Sequence, residues 1–380
     1  MKKYSLKLNY KKKEECDILF DQDIFIKKNI NIILKPIIKK NPVFVFVDKN
    51  LYDKMDLELY CKRLKTDLDA EVYLLKGGEH VKSLKTFQKY IDKIFTKGVT
   101  AKSFIIAIGG GTIIDLAGYV ASVIYRGINF ISIPTTLLAS ADAAISCKNA
   151  LNLNNGKNQI GSYQLPKKIF IDTSYIFNFL ETRYFWDGYA EIIKHGIGHS
   201  KKLLENLKKN NSSYILKKNL NKLNKNEKLE FTKDISKVLR LSINSKTVLF
   251  NKKNNELQRV YHFGHTIGHA LEIATKHKIF HGEAITIGML VALELSIKIL
   301  KLDKQILYLS KKLFKKYNLP IQLDKKNFDL KLFEKAMIKD KKYLGKKNYF
   351  ILMDKLFSVK EQTYTVGKEI YMPLLSKYLI

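Results

Sequence analysis

Three histidines and one glutamate in the second half of the sequence have the residue types and spacing of metal ligands. His265 and His269 lie four residues apart in FGHTIGHALE, so a helix would project both from one face. His281 follows in HGEA, and Glu191 lies in GYAEIIKHG. Two or three imidazoles with a carboxylate suit a divalent metal of the zinc type that keeps one position open for substrate. A histidine pair at this spacing also occurs on ordinary helix surfaces, but a glycine beside each histidine favours the close approach of a ligand.

A second chemical signal is the run IIAIGGGTIIDLAG, in which three glycines separate an apolar strand-like segment from a helix-like segment. Glycines at such a turn let the backbone approach a pyrophosphate, while the helix N-terminus supplies amide hydrogens and a positive dipole. The run is not GxGxxG, and a tight turn without a ligand has the same composition. Asp48 and Asn50 favour a nucleotide, because they end an earlier strand at a place where ribose hydroxyls are often held.

The elements that position these residues follow from the apolar pattern of the chain. The runs VFVFV, EVYLL and FIIAI alternate with segments of helical spacing, and further strands are predicted at 130–133 and 169–172. This alternation is typical of a parallel sheet with right-handed crossovers. From about Phe177 the strand signals end and helical periodicity takes over. We therefore predict an α/β N-terminal domain over residues 1–175 and a mainly α-helical C-terminal domain over residues 176–380.

The charge of the chain first resembles that of a nucleic-acid-binding protein. Its formal net charge is +32, but only five of the 68 basic residues are arginine. Arginine provides the planar, bidentate contacts to phosphates and base edges. The charge therefore indicates lysines solvated over the whole surface, together with attraction of an anionic substrate, and we expect no nucleic-acid partner.

Membrane insertion and export are also disfavoured. The longest apolar stretch, near 104–123, contains Asp115 and is interrupted by glycines. The first residues lack the apolar core of a secretory signal. Three cysteines without CxxC spacing suggest neither a disulfide framework nor a thiolate zinc site. We expect a cytoplasmic protein with no membrane partner.

Nine sequence blocks, in order, resemble the 3-dehydroquinate synthase superfamily of sugar-phosphate cyclases. The resemblance runs from about Val43 to Phe357. The blocks are GGEHVKSL, AIGGGTIIDLAG, YRG, PTTLLAS followed by Asp142, NNGKNQIGSYQLP, YAEIIKHG, FGHTIGHALE, HGEAITIGM and KDKKYLGK. The resemblance implies a dehydroquinate synthase-like fold, with NAD in a Rossmann-like N-terminal domain and a divalent metal, zinc or cobalt, in the cleft between that domain and the helical C-terminal domain.

The same resemblance implies roles for individual residues. The metal ligands would be Glu191, His265 and His281. The residues around NAD would be Asp48, Asn50, Glu79, Lys82, Gly110, Gly111, Asp115, Thr135, Thr136, Asp142 and Lys157. Those around a sugar-phosphate substrate would be Lys148, Asn158, Lys194, Lys246, His269 and one of Lys341 or Lys342. Arg126 would reach into the site of a neighbouring subunit in a homodimer.

These roles fit a reaction with no net redox change. A zinc-type cation on a substrate hydroxyl would lower its pKa, so that hydride leaves the same carbon for NAD. The new ketone acidifies the adjacent C–H, which allows phosphate to be eliminated. NADH then returns the hydride, the ring opens, and the enolate closes a carbocycle by aldol addition. The lysines, Asn158 and His269 would hold the phosphate and stabilise the developing charges.

Some positions depart from the family pattern. In 3-dehydroquinate synthases two glycines precede the substrate lysine, whereas Ser146 and Cys147 precede Lys148. The family asparagine three residues before the ligand histidine is replaced by His262. The serine-x-lysine pattern favours relatives that cyclise uncarboxylated sugar phosphates, such as 2-deoxy-scyllo-inosose synthase or 2-epi-5-epi-valiolone synthase.

A further departure concerns the arginine that takes the substrate carboxylate. On a gap-free alignment to His265 its place is taken by Gln258. A glutamine supplies no charged bidentate fork, and an unpaired buried carboxylate costs several kcal/mol. We therefore predict an uncarboxylated substrate. A one-residue shift would restore Arg259, and Lys246 is present, so a divergent 3-dehydroquinate synthase stays an alternative, as does a metal-dependent alcohol or glycerol dehydrogenase.

Overall fold

A computed structural model describes residues 15–21, 30–54, 57–153, 156–177, 183–210, 224–250, 261–339, 343–344 and 347–380. The chain divides into two compact units. The first is Met1–Ile133 with Cys147–Ile171, and the second is Pro134–Ser146 with Asp172–Ile380. Pro134–Ser146 is predicted from the sequence to lie in the N-terminal domain, whereas its contacts group it with the second unit. The domain boundary at residue 175 stays a prediction.

The first unit contains a six-stranded sheet with the order β1-β8-β5-β4-β2-β3. The pairs β2–β3, β2–β4 and β5–β8 are parallel. The strands are β1 (Asp17–Asp21), β2 (Val43–Asp48), β3 (Ala70–Leu75), β4 (Phe104–Gly109), β5 (Asn129–Pro134) and β8 (Lys168–Asp172). Every residue of β4 is buried. Such continuous apolar strands are typical of a parallel sheet covered on both faces, which confirms the predicted α/β architecture.

Helices and a hairpin complete the first unit. The helices are α1 (Ile30–Ile38), α2 (Lys49–Lys54), α3 (Glu58–Leu68), α4 (Leu84–Thr96) and α5 (Gly111–Val123). An antiparallel hairpin, which the sequence does not predict, is formed by β6 (Lys148–Leu153) and β7 (Gly156–Tyr163). Both strands are rich in asparagine and glycine and only partly buried, so they lack the apolar runs from which the other strands were predicted.

The second unit is mainly helical, as predicted. Its helices are α6 (Leu137–Ala141), α7 (Thr173–Phe177), α8 (Arg183–His199), α9 (Lys201–Lys209), α10 (Lys225–Phe250), α11 (His265–Ala274), α12 (His281–Leu300), α13 (Lys304–Lys316), α14 (Leu330–Lys339) and α15 (Lys368–Ser376). The prediction that strands end near Phe177 is wrong. Three antiparallel strands form a small sheet: β9 (Tyr343–Leu344), β10 (Lys347–Lys355) and β11 (Ser358–Gly367). β11 carries little apolar sequence to reveal it.

Helix α8 lies at the centre of the second unit and packs against α6, α10 and α12. It is buried along most of its length, and a helix enclosed on all sides is normally apolar. Asp187, Glu191 and Lys194 are nevertheless among its buried residues. Charged groups in a buried helix require oppositely charged or hydrogen-bonding partners, so α8 is a candidate location for the functional site. Within the described residues, no helix combines the length and apolarity required to cross a bilayer.

Candidate active site

Glu191 is the centre of a buried polar cluster in the second unit. Its side chain is fully buried, and its Oε2 accepts a hydrogen bond from Nζ of Lys194 one turn along α8. Lys194 also donates to the backbone carbonyl of Tyr261 at 2.8 Å. The other carboxylate oxygen, Oε1, is buried and has no hydrogen-bond partner among the described residues. Because an unsatisfied buried carboxylate oxygen is unfavourable, this position is suited to a cation.

Two imidazole nitrogens flank this oxygen. Nε2 of His265 lies 3.6 Å from Glu191 Oε1, and Nε2 of His281 lies 3.8 Å from it. Nδ1 of His265 is 3.2 Å from the carbonyl oxygen of Phe263. A carbonyl only accepts, so Nδ1 carries the hydrogen and Nε2 of the neutral ring directs a lone pair toward the carboxylate. Burial, with Lys194 nearby, lowers the pKa of His265 well below its usual range and keeps the ring neutral.

His281 is held at the first turn of α12. Its Nδ1 lies 3.3 Å from Oε2 of Glu272. Gly282 follows His281 in the sequence, and its backbone amide donates a hydrogen bond to the carboxylate of Asp187. Burial lowers the pKa of His281, but the carboxylates of Glu272, Glu191 and Asp187 outweigh it and raise the pKa to about 9. The surroundings of this ring therefore favour positive charge.

The predicted ligand triad fits a divalent cation. The ligand atoms of Glu191, His265 and His281 all lie within 4.8 Å of one another. Ligands of a tetrahedral zinc ion, each about 2.0–2.1 Å from the metal, are roughly 3.4 Å apart, which is close to the spacing seen here. The orphan oxygen of Glu191 and the two inward lone pairs supply three donors. His269 does not join this triad: it is exposed, and its ring centroid is 5.2 Å from that of His265.

A second buried lysine lies in the same unit. Lys246 on α10 is 3% exposed and donates to both the carboxylate and the backbone carbonyl of Asp142. Burial alone would raise the pKa of Asp142, but Lys246 and Lys194 hold it well below its usual range. The structure thus pairs a predicted NAD residue with a predicted substrate residue. Thr135 is buried, and Thr136 caps α6 by accepting from the amide of Ala139.

The glycine turn of the first unit connects β4 directly to α5. Gly110 is the N-cap residue of α5, and Gly111 is the first helical residue. Since glycine has no side chain, no side-chain oxygen of the N-cap residue accepts from the first amides of the helix. At Gly109 a Cβ would lie 2.9 Å from the side chain of Ile113, so a larger residue does not fit. At the end of β2, Asp48 accepts from the amides of Asn50 at 3.0 Å and Gly77 at 3.3 Å. Burial raises the pKa of Asp48 despite these hydrogen bonds.

Lys82 joins two other predicted residues of the first unit. It is 3% exposed, and its Nζ donates to the carboxylate of Asp115 and, at 2.6 Å, to Oδ1 of Asn158. Asn158 has a positive φ of 54° in β7. A predicted substrate residue and two predicted NAD residues are therefore in contact.

A neighbouring group contains Glu79, which accepts from Nδ2 of Asn152 at 2.7 Å and lies 3.6 Å from Nζ of Lys157. Oδ1 of Asn152 accepts from the amide of Asn158 at 3.0 Å, which links the two groups. The sequence analysis missed Asn152, because nothing distinguishes one asparagine in an asparagine-rich chain. It also missed Glu272, although Glu272 ends the block FGHTIGHALE.

Two other predicted residues are exposed, and further positions lie outside the described residues. Lys148 begins β6 and is exposed. Arg126 is exposed, with a positive φ of 64°. Its role in a neighbouring subunit, and the homodimer itself, stay predictions. The positions that lie outside the described residues are Gln258, Arg259, Lys341 and Lys342.

Cys147, one of the departures from the family pattern, has a positive φ of 57°. This is the left-handed region that glycine enters without strain. This backbone conformation thus explains why the family pattern has a glycine at this position. The cysteine adopts the same conformation at an energetic disadvantage. His262, another departure, lies beside the predicted ligand triad, with its ring 5.8 Å from that of His265.

The fold is that of sugar-phosphate cyclases of known structure. The solved structure of 2-epi-5-epi-valiolone synthase from Streptomyces hygroscopicus, with NAD+ and Zn2+ bound, matches with a TM-score of 0.80 at 21% identity, covering 98% of this chain and 99% of that chain. The structure of 2-deoxy-scyllo-inosose synthase with carbaglucose-6-phosphate, NAD+ and Co2+ matches with a TM-score of 0.74 at 23% identity, covering 95% and 96%.

The sequence comparisons are more specific. Residues 72–186 match the family model of the 3-dehydroquinate synthase N-terminal domain, and residues 188–343 match that of the C-terminal domain. The 3-dehydroquinate synthase of Clostridium tetani is 34% identical over 338 residues, covering 87% of this chain and 86% of that protein. The chain therefore belongs to the 3-dehydroquinate synthase family.

Proposed function

We propose that the protein is an NAD- and metal-dependent sugar-phosphate cyclase that eliminates phosphate and closes a carbocycle, with the carboxylated heptulosonate phosphate of 3-dehydroquinate synthases as its substrate. The observation that carries the chemistry is the orphan Oε1 of Glu191 between the Nε2 atoms of His265 and His281. The choice of substrate rests on relatives named 3-dehydroquinate synthase that are about one third identical over most of the chain.

The metal ligands would be Glu191, His265 and His281. When bound, a divalent cation there would polarise a substrate hydroxyl and lower its pKa. The ligand carboxylate also binds Lys194, which has three N–H donors and uses two of them on Glu191 and the Tyr261 carbonyl. Within the described residues no other acceptor contacts the third N–H, which would be available to a substrate oxygen. Since this ammonium group is buried, its charge acts on that oxygen with little screening by water.

Lys246 has a similar arrangement. Two of its N–H groups donate to the carboxylate and the carbonyl of Asp142, and no other acceptor contacts the third within the part of the chain that the structure describes. In the first unit, the uncapped start of α5 at Gly110 would offer amide groups to the pyrophosphate of NAD. Asp48, with its partly buried carboxylate, would accept from a ribose hydroxyl.

An uncarboxylated sugar phosphate is the second candidate substrate. It is favoured by the absence of the family arginine at Gln258 and by the Ser146-Cys147-Lys148 sequence. Two cyclases of uncarboxylated sugar phosphates share the fold, which supports the reaction class without selecting the substrate. The dehydrogenase alternative is disfavoured, because net oxidation of an alcohol does not require a buried lysine beside the metal-ligand carboxylate, as Lys194 lies beside Glu191.

The test is phosphate release by the purified protein with NAD and Zn2+ or Co2+. The carboxylated heptulosonate phosphate, glucose 6-phosphate and sedoheptulose 7-phosphate are offered separately, and NADH is followed by absorbance. We expect release from the carboxylated substrate alone, without accumulation of NADH. Lys194→Ala should abolish release while NAD binding persists, and Lys377→Ala, which removes a half-exposed lysine paired with Glu294, serves as the control.

Each other result points elsewhere. Release from an uncarboxylated substrate alone would establish the second candidate. Accumulation of NADH without phosphate release would establish a dehydrogenase and contradict the proposal.

A further inference from the structure

We propose that Glu272 is a positioning residue that fixes the tautomer and orientation of the His281 imidazole for metal binding. The inference deepens the proposed function and rests on its metal site. Glu272 is 4% exposed and lies on α11, with its Oε2 3.3 Å from Nδ1 of His281. It would not itself bind the metal or touch the reacting atoms.

The chemistry of the contact determines which nitrogen of His281 faces the metal site. An ionised carboxylate only accepts hydrogen bonds, so Nδ1 of His281 must be the donor toward Glu272. A histidine that binds a metal is neutral, and in the neutral ring the lone pair is then on Nε2, the atom that lies 3.8 Å from Oε1 of Glu191. A carboxylate hydrogen-bonded to the far nitrogen of a ligand histidine also increases the basicity of that ligand.

The other ligand histidine shows the same arrangement with a different partner. Nδ1 of His265 faces the backbone carbonyl of Phe263, and its Nε2 faces Glu191 Oε1. Both rings thus present the same nitrogen to the same oxygen. For His265 the partner belongs to the main chain and cannot be substituted, whereas for His281 it is a side chain that mutation can remove.

The helices that carry these residues are held close together. His265 and Glu272 are seven residues apart on α11, which is two turns, so they lie on one face. α11 packs against α12, which begins at His281. At Gly288 of α12 a Cβ would lie 2.0 Å from the carbonyl oxygen of Gly264, so the absence of a side chain permits this approach. One helix thereby supplies both a metal ligand and the carboxylate that orients another ligand.

A competing explanation is that Glu272 is itself a metal ligand. His269, Glu272 and His281 also have ligand atoms within 4.8 Å of one another. The two roles differ in what remains when Glu272 is replaced. A positioning residue changes the affinity for the metal but leaves the ligand set unchanged at saturation, whereas loss of a ligand changes the coordination itself.

The experiment compares Co2+ binding by the full chain and three variants, with NAD and substrate absent. Dissociation constants are measured by competition with a chelator, and the visible absorption of bound Co2+ is recorded at saturation. Glu272→Leu removes the acceptor, and Glu272→Gln keeps a carbonyl oxygen that can still accept. Glu294→Gln is the control, because Glu294 is a mostly buried carboxylate on α12 that binds Lys377 and Tyr378 away from the triad.

We expect Glu272→Leu to weaken Co2+ binding by about 10- to 100-fold. Glu272→Gln should recover part of that loss, Glu294→Gln should match the wild type, and the saturated spectra should agree. Equal affinity in Glu272→Leu and the wild type would refute the positioning role and leave the proposed metal site intact. A changed saturated spectrum would show that Glu272 is a ligand, which also refutes it. If the wild type binds no Co2+, the metal site of the proposed function fails, and the inference fails with it.

Chelator-treated protein provides the check on folding. Thermal unfolding of Glu272→Leu and Glu294→Gln without metal should differ by only a few degrees. If Glu272→Leu is unfolded without metal, Glu272→Gln takes its place in the comparison. The inference then requires that Glu272→Gln bind Co2+ more weakly than Glu294→Gln does.

Discussion

The two units of the molecule hold their predicted site residues in different ways. In the second unit, Glu191, Lys194 and Lys246 are 0–3% exposed and pair with each other or with neighbours. In the first unit, the side chain of Glu79 is 43% exposed and that of Lys157 is 23% exposed, although they lie 3.6 Å apart. Lys82 is the exception in the first unit, because it is buried beside Asp115.

This difference indicates different ways of receiving a ligand. Half-exposed ion pairs contribute little free energy, so they can separate when a cofactor approaches. Buried pairs are fixed by the surrounding structure, because separating them leaves a desolvated charge. We infer that the second unit is preorganised for its ligand, whereas the periphery of the predicted cofactor site in the first unit can adjust.

The largest effect is expected from Lys194→Met. The variant leaves the carboxylate of Glu191 buried without its ammonium partner, which should lower the free energy of unfolding by about 3–5 kcal/mol in the presence of a chelator. Added Zn2+ should restore part of the loss, since a cation would again neutralise the carboxylate. Urea unfolding of the variant with and without Zn2+ measures both effects.

Lys377→Met is the matched control for that experiment. Its ammonium is half exposed and pairs with Glu294, so its removal should lower the free energy of unfolding by about 0–1 kcal/mol. If the two variants lost the same stability, buried and exposed pairs would not differ as proposed.

An intermediate effect is expected from Lys82→Met, which sharpens the comparison inside the first unit. The variant removes the donor to Asp115 and Asn158, and should lower the free energy of unfolding by about 1–3 kcal/mol. NAD affinity should fall as well, while the content of bound metal stays that of the wild type. Unfolding curves, calorimetric titration with NAD and metal analysis give the three values.

Lys157→Met is the comparison for Lys82→Met, because Lys157 is more exposed than Lys82. It should change the free energy of unfolding by less than about 1 kcal/mol. A loss of bound metal in Lys82→Met would contradict the separation of the two sites.

The smallest effect concerns backbone strain in the first unit. Cys147 has a φ of 57°, a conformation that is unfavourable for residues with a Cβ. Cys147→Gly should therefore be more stable than Cys147→Ala by about 1 kcal/mol, the reverse of the order found in ordinary helices and strands. Thermal unfolding of the two variants tests this. If the alanine variant were the more stable one, strain would not account for the glycine in the family pattern.

The sequence predicted those parts of the fold whose burial leaves a continuous apolar trace. β2 and β4 are buried on both faces, so their sequences are uninterrupted apolar runs. The hairpin of β6 and β7 was missed because partial burial leaves a polar sequence there. β10 and β11 were missed for a different reason: they follow a long helical region, and β11 carries little apolar sequence.

Residues of the candidate site were predictable from the sequence when their residue type is rare in this chain, and not when it is common. Eight histidines occur in 380 residues, so the spacing of His265 and His269 carries information. Lysine is so abundant that a single lysine carries little information. Lys194 and Lys246 were therefore selected by the family resemblance, and the structure adds that both are buried. The role of Glu272 depends on the direction of a hydrogen bond, which no sequence pattern records.

The short segment Pro134–Ser146 has a consequence for synthesis of the chain on the ribosome. It leaves the ribosome between two pieces of the first unit, yet α6 within it packs against α8, where a Cβ at Gly188 would lie 2.7 Å from the amide nitrogen of Leu138. At about 5–20 residues per second, the roughly 60 residues from α6 to the end of α8 take about 3–12 s. During that interval Leu137, which is 1% exposed in the folded protein, has no partner from the second unit, and a chaperone that binds apolar segments would find it accessible.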